Sequence, residues 1–412
     1  MPLDVKSARE IVLAECLKVD PERRGSESVD LLDCLGRTIA EPILLDRDQP
    51  PFDRSMRDGY AIRAEDVRNV PASLRYVGEV KAGEWPSMDL REGEAVQIMT
   101  GAPAPVGADA VVMVEHTEQI NPGSLRVLRS VRQGENIANR GSEQSAGATV
   151  FSSGTKLSAF GMAVLASVGK RRVKVFRRPT VAILATGDEL VDIEENPSPS
   201  QIRNSNSYSL YAQVLRSGAI PKILKIARDN LFDLRRQIAL GIQEDVLLIS
   251  GGVSMGKYDL VEPVLSELGV QVHFDSVNMR PGKPTVFATH GSQFVFGLPG
   301  NPVSTFVAFE LFVLPVLQRL QGLKPGGLSL VRGTLEQEVF EKSGRTAFLP
   351  ARVFGRPGRN VISAIAWKGS ADIFSIVAAN GLLVVPLETS SLRAGDEVEA
   401  LLFDEFQSEG PF

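Results

Sequence analysis

From Ser7 to Lys18 the apolar residues Ala8, Ile11, Val12, Cys16 and Leu17 recur at three- and four-residue spacing, which places them on one helical face. Val29 to Leu35 continues apolar and Gly36 offers a C-cap, so a second helix is predicted there. Ile39–Leu44 reads as extended, and Asp46-Arg47-Asp48-Gln49-Pro50-Pro51 marks a boundary. Beyond it the period shortens. Tyr60–Ile62, Leu74–Val80, Ala95–Ile98, Ala110–Val114 and Leu125–Leu128 are short β-forming runs separated by Gly, Pro, Asn and Asp, and Thr100 to Pro105 forms a rigid turn. A β-rich barrel or sandwich over residues 46–148 fits this pattern. A helix at Ala159–Val168 and a strand at Val173–Phe176 follow, so residues 149–178 complete the domain begun by residues 1–45 and the β-rich part is an insertion.

From Thr180 to Arg319 strands and helices alternate. Strands are predicted at Val181–Ala185, Ile223–Ala227, Val246–Ser250, Val272–Asn278, Thr285–Thr289 and Phe294–Gly297, and helices at Ser205–Ser217, Leu231–Ile242, Val261–Leu268 and Val303–Leu320. This rhythm predicts a doubly wound, mainly parallel α/β domain over residues 179–325, with ligands at the carboxyl ends of its strands. Gly326-Gly327 opens a C-terminal β domain over 326–412, with strands near Ala347–Val353, Val361–Ala366, Gly381–Val385 and Glu397–Leu402, and a short helix starting at Gly369 to Asp372. The fold class is therefore α/β plus β, multidomain.

Composition narrows the function. The 412 residues carry a net charge of −5, which argues against nonspecific nucleic-acid binding. Two cysteines, Cys16 and Cys34, make no disulfide framework or zinc spacing. No signal-peptide core or uninterrupted apolar span is visible, so a cytoplasmic, membrane-free chain is expected. None of His116, His273 and His290 is spaced for a metal site, so any metal is expected on carboxylates, which favours a hard cation such as Mg²⁺.

Four loops fall at predicted strand ends: Thr186-Gly187-Asp188-Glu189-Leu190, Ala227 to Asn230, Ser250 to Asp259, and Gly297-Leu298-Pro299-Gly300-Asn301-Pro302-Val303-Ser304. Sheet geometry brings such loops to one rim. The glycines of the third loop, Gly251, Gly252 and Gly256, suit either a phosphate cradle or a plain tight βα turn. Asp229 and Asp259, if they converge, make a hard-cation site or a proton-sharing pair; otherwise they are helix caps. Arg280-Pro281-Gly282-Lys283-Pro284 sets two cations on a stiff turn, fit to clamp an anion or simply to face solvent.

These loops, together with Ile98-Met99-Thr100-Gly101-Ala102-Pro103 and Asp58-Gly59-Tyr60-Ala61, resemble the molybdopterin molybdenumtransferase family, which includes MoeA and the gephyrin E domain, and the resemblance runs in order along essentially the whole chain. It implies a homodimer that inserts molybdate into adenylylated molybdopterin with Mg²⁺ or a similar divalent ion and releases AMP. By position it implies that Gly251, Gly252, Val253, Ser254 and Pro299, Gly300, Asn301, Pro302 and Ser304, with Thr186, Gly187 and Asp188, seat the pterin phosphate and nucleotide. Glu189, Asp229 and Asp259 would take the metal and the adenylyl phosphate, and Arg280 and Lys283 the oxyanion. Asp58 and Thr100 would reach the same cleft across the dimer. It also implies an adenylyltransferase and downstream molybdoenzymes as partners. The chain departs from the family pattern at Arg57 (usually Met), Ser142-Glu143 (usually Glu-Asp), Arg280 (usually Lys) and Asn204 (usually Asp). Two other readings use the same residues. One is a molybdopterin adenylyltransferase, against which the insertion and the C-terminal β domain speak. The other is a non-catalytic molybdopterin-binding scaffold, which Arg57, Ser142 and Asn204 keep open.

Overall fold

The structure is a computed structural model and describes residues 2–252, 260–356, 358–403 and 407–408. The chain forms two compact units, one of residues 1–40, 153–159 and 172–412, the other of residues 41–152 and 160–171.

The smaller unit is built on a six-stranded sheet. Its order is Ala110–Met113, Gly59–Ile62, Glu94–Ile98, Ala72–Val80, Ser124–Val127 and Thr117–Asn121, so all five runs read from the sequence are strands. Alternate residues serve opposite faces: Tyr60, Ile62, Ala95, Ala110 and Val112 enter one core, and Ala61, Val96, Ile98 and Val111 the other. Gly59 lies so close to the neighbouring strand that a Cβ there would stand 2.0 Å from the carbonyl oxygen of Val112.

The larger unit holds the α/β sheet. Its order is Ile220–Ile223, Thr180–Ala185, Val246–Ser250, Gln293–Leu298, Val286–His290 and Gln271–Phe274; the first four are mutually parallel, and Val286–His290 pairs antiparallel with both of its neighbours. Both faces are covered, as a near-continuous apolar strand requires. Val181, Ile183, Val246, Leu248 and Phe296 pack beneath the long helix, whereas Ala182, Leu184, Leu247 and Ile249 meet the helices Leu231–Gly241 and Val261–Glu267. The chain order reverses between Thr180–Ala185 and Val246–Ser250, which makes their carboxyl ends the crevice where such sheets take ligands.

The long helix runs from Pro302 to Leu320, α-helical at each end with a π-helical turn at Phe309–Val313. It is the one helix among the described residues long and apolar enough to cross a membrane, and most of it is buried. Inside the π turn Glu310, 1% exposed, accepts a hydrogen bond of 2.7 Å from Gln213 and pairs with Arg216, both on the helix Asn206–Arg216. The N-terminal helix Val5–Leu17 lays Ala8, Val12 and Cys16 into the same core.

C-terminal to this helix, five strands close into a barrel. Thr346–Arg356 pairs with Arg359–Ala364 and Gly381–Val385; Glu397–Leu402 pairs with Gly381–Val385 and Ser329–Leu335; and Ser329–Leu335 returns to Arg359–Ala364. Met279–Arg280 adds a parallel bridge to Thr346–Ala347, tying the barrel to the α/β part.

Three expectations need correction. The helix expected over Val29–Leu35 is instead the strand Ser26–Asp30, paired with Arg172–Phe176, followed by a 3₁₀ turn at Leu31–Asp33 in which the Asp30 carboxylate accepts from the Leu32 N–H. The strand expected at Ile223–Ala227 ends at Ile223, and Ala227 keeps only a bridge to Thr186. The strand expected over Val272–Asn278 stops at Phe274. Ser329–Leu335 was not anticipated.

Candidate functional site

Three of the four strand-end loops meet in the structure at the reversal point. Thr186, 2% exposed, donates its backbone N–H to the Ser250 carbonyl at 3.0 Å and its hydroxyl to Asp229 Oδ1 at 3.0 Å. Asp229 in turn donates its N–H to Asp188 Oδ1 at 3.2 Å. Gly187 has φ +149°, and a Cβ there would fall 2.5 Å from a carboxylate oxygen of Glu189, which folds back over it. Gly251 has φ +93°, and its Cβ would fall 2.4 Å from the Thr186 carbonyl oxygen, so only glycine lets these loops touch.

Asn206 joins the remaining loop. Its Nδ2 donates to Ser250 Oγ at 2.8 Å and to the Gly300 carbonyl at 2.7 Å, while its buried Oδ1 accepts no hydrogen bond among the described residues. Thr305 binds the Asn301 carbonyl at 3.2 Å and the Pro299 carbonyl, fixing the Pro299–Pro302 clip at the N-terminal end of the long helix. Asn204, where the family pattern suggested Asp, caps the start of the helix Asn206–Arg216 that follows it. Its Oδ1 accepts from the Ser207 N–H at 3.2 Å and its Nδ2 donates to Ser207 Oγ at 2.9 Å, a bond a carboxylate could not give.

A cavity of about 420 Å³ opens among these loops, lined by Thr186, Glu189, Asn206, Ser250, Gly251 and Phe374 with others. A second, of about 620 Å³, adjoins it through Gly300 and Asn301, which line both. Its walls are the Arg280–Pro284 turn, Pro299, Gly300, Asn301 and Ser304, and Ser343, Arg345, Trp367 and Ser370 of the C-terminal part. The three cations in these walls differ in availability. Arg280 Nη1 binds both oxygens of Glu341, at 2.9 and 3.0 Å. The side chains of Lys283 and Arg345, both half-buried, have no hydrogen-bond or ion-pair partner among the described residues. Burial alone would raise the Glu341 carboxyl, but hydrogen bonds from Ser343 and the Arg280 guanidinium outweigh it and hold the group below the usual carboxylate range.

Asp229 and Glu189 present exposed carboxylate oxygens, the donor type of a hard cation, yet no group of three His, Cys, Asp or Glu is placed to hold a metal among the described residues. Val253, Ser254 and Asp259 lie outside the described residues. Asp58 and Thr100 belong to the smaller unit, where the Thr100 N–H and hydroxyl donate to Asp58 Oδ1 at 2.7 and 3.0 Å. Those bonds lower the Asp58 carboxyl below its ordinary value. Glu143 of the same unit pairs with Arg54 at 2.6 Å.

Asn206, Glu341, Ser343, Arg345, Trp367, Ser370 and Phe374 were not read from the sequence as site residues. The barrel residues sit in no local motif. The one hint was the helix start at Gly369–Asp372: Asp372 caps the helix Ile373–Val377, and Ser370 Oγ accepts from Asn301 Nδ2 at 2.8 Å.

The reversal point, its glycine cradle and the adjoining cavity walled by cationic side chains define a doubly wound α/β protein with a ligand crevice at the carboxyl ends of its strands. Residues 3–169 match the MoeA N-terminal region (domains I and II), 182–319 a probable molybdopterin binding domain, and 332–403 the MoeA C-terminal region (domain IV). The chain is 36% identical over 407 residues to the molybdopterin molybdenumtransferase of Nostoc sp., covering 96% of this chain and 93% of that one. It is 34% identical over 397 residues to that of Bacillus subtilis, covering 94% and 92%. A crystal structure of a molybdopterin biosynthesis MoeA protein from Pyrococcus horikoshii superposes with a TM-score of 0.84 at 29% identity, over 98% of this chain and all of that one. A second from the same species gives 0.81 at 34%. The chain belongs to the MoeA family.

Proposed function

We propose that the chain is a molybdopterin molybdenumtransferase, which inserts molybdate into adenylylated molybdopterin and releases AMP. The observation that carries this is the pair of cavities sharing the Gly300–Asn301 wall, one a glycine cradle and the other cationic. A substrate that carries a phosphoanhydride beside a metal-accepting dithiolene needs such adjoining seats. In the first, Gly251 and Gly252 allow close backbone approach to the phosphates. In the second, Lys283 and Arg345 collect the molybdate dianion, with Ser304, Ser370 and Asn301 as neutral partners. Cleaving the anhydride then rests on charge neutralisation and positioning, with no protein nucleophile required.

Glu189, Asp229 and Asp259 would hold Mg²⁺, which when bound neutralises charge on the adenylyl phosphate. Thr186 orients Asp229 for that task through its hydroxyl. We further propose a cytoplasmic homodimer in which Asp58 and Thr100 serve the reaction from a second copy of the chain. An adenylyltransferase would supply the substrate and molybdoenzymes would receive the product.

Purified protein given adenylylated molybdopterin, molybdate and Mg²⁺ is expected to release AMP in step with molybdenum insertion. Protein that binds the nucleotide and never releases AMP refutes the enzymatic reading in favour of the scaffold. The adenylyltransferase reading is not favoured, since the relatives named above match over nearly the full chain; ATP consumption with unmodified molybdopterin would restore it.

A further inference from the structure

Arg280 was expected to clamp the oxyanion, yet its guanidinium is already engaged. Nη1 bridges both carboxylate oxygens of Glu341, and the guanidinium lies 5.7 Å from the centre of the Trp367 ring. Glu341 is 3% exposed, and the Ser343 N–H also donates to it at 2.8 Å. A buried carboxylate beside an anion site repels the anion unless a cation neutralises it, and here that cation is Arg280. The pair thus cancels in charge and leaves Lys283 and Arg345 as the described cations able to meet a ligand.

Position is what the pair supplies. Lys283 follows Arg280 on the Pro281–Pro284 turn, and Arg345 immediately precedes the barrel strand beginning at Thr346. The bridge Met279–Arg280 to Thr346–Ala347 sets these two segments side by side, and the Arg280–Glu341 link closes the same junction on its other flank. We infer that Glu341 is a positioning residue for the oxyanion cavity, acting through Arg280 as a strut that holds Lys283 and Arg345 at their mutual spacing. This rests on the assignment of that cavity to molybdate.

Calorimetric titration of the full chain with molybdate tests it, with AMP titrated in parallel at the neighbouring cavity. Glu341→Gln, Arg280→Met and the charge-preserving Glu341→Asp are each expected to weaken molybdate binding roughly tenfold, the scale of a lost supporting contact behind a ligand. AMP affinity should be unchanged, which a general loss of structure would not allow. The Arg280→Met/Glu341→Gln double variant should bind no more weakly than the weaker single, since the two side chains act as one unit. Molybdate binding by Glu341→Gln as tight as wild type or tighter overturns the inference, because a freed Arg280 would then be serving the anion directly. So does wild-type binding by Glu341→Asp, or losses that multiply in the double variant. Wild-type protein that took up no molybdate would instead refute the assignment of the cavity itself.

Discussion

Replacing Gly251 by Ala probes whether the strand-end cradle depends on the close approach of two backbones. The new Cβ would fall 2.4 Å from the Thr186 carbonyl oxygen and 3.5 Å from its carbon, on a residue with φ +93°. A left-handed conformation costs an alanine about 1–2 kcal/mol, and overpacking adds about 1–3 kcal/mol. Neither backbone yields readily, because the Thr186 N–H is bound to Ser250 O at 3.0 Å and the Gly251 N–H to Leu298 O at 3.2 Å. The sum, about 2–5 kcal/mol, must appear as lost stability, as a rearranged cradle, or as both. At about 1.4 kcal/mol per tenfold, a cost absorbed by the cradle lowers AMP affinity by roughly 30-fold or more. Thermal melting and calorimetric AMP titration read the two outlets together. Gly300→Ala is the matched control: its Cβ meets nothing nearer than Gly251 Cα at 3.8 Å, so it should melt normally and affect only ligand access. A Gly251→Ala protein with both wild-type melting and wild-type AMP affinity would refute the described contact between these loops.

Lys283→Ala and Arg345→Ala should each weaken molybdate binding with the melting temperature preserved, since neither cation has an ion-pair partner among the described residues; unchanged titrations would remove them from the anion site. Thr186→Val, nearly isosteric, deletes the 3.0 Å donor to Asp229 and should lower the Mg²⁺ response of AMP release while the fold survives. Because the Glu341 carboxyl is held low, its link to Arg280 contributes stability above the unfolded value of about 4.3 and loses it as pH falls through the lower folded value. The melting difference between wild type and Glu341→Gln should therefore stay constant from about pH 8 to about pH 5 and shrink below about pH 4.3; a difference that shrinks near neutrality contradicts the pairing. Burial pushes the Cys16 thiol up to about 11, so the folded chain should resist a thiol reagent at mildly alkaline pH and react on unfolding; rapid labelling of Cys16 in the folded chain would refute its burial.

Strands such as Val246–Ser250 were legible because burial on both faces demands an unbroken apolar run, and the loops after them were legible because glycine and proline punctuate them. Val29–Leu35 misled for the opposite reason: its spacing suits a helix, but pairing of Ser26–Asp30 with Arg172–Phe176, remote in sequence, prevailed. Ser329–Leu335 was hidden by Gly333, which reads as a turn residue but sits where a Cβ would come within 2.9 Å of the Asn360 carbonyl oxygen. The cavity's second cation was unreadable on principle. Arg345 and Glu341 gain meaning only from the strand register that sets Met279–Arg280 beside Thr346–Ala347, and no local pattern encodes that register.

The wall formed by Gly300 and Asn301 has a thermodynamic consequence of its own. Because the same two residues line both cavities, any ligand that shifted this segment on one side would alter the surface offered on the other. Linkage makes such an effect reciprocal: whatever factor a bound nucleotide contributes to oxyanion affinity, the oxyanion returns to the nucleotide. Substitution at Asn301 would disturb both affinities and their coupling together, whereas Arg345 and Phe374, each lining only one cavity, leave the two affinities separately adjustable.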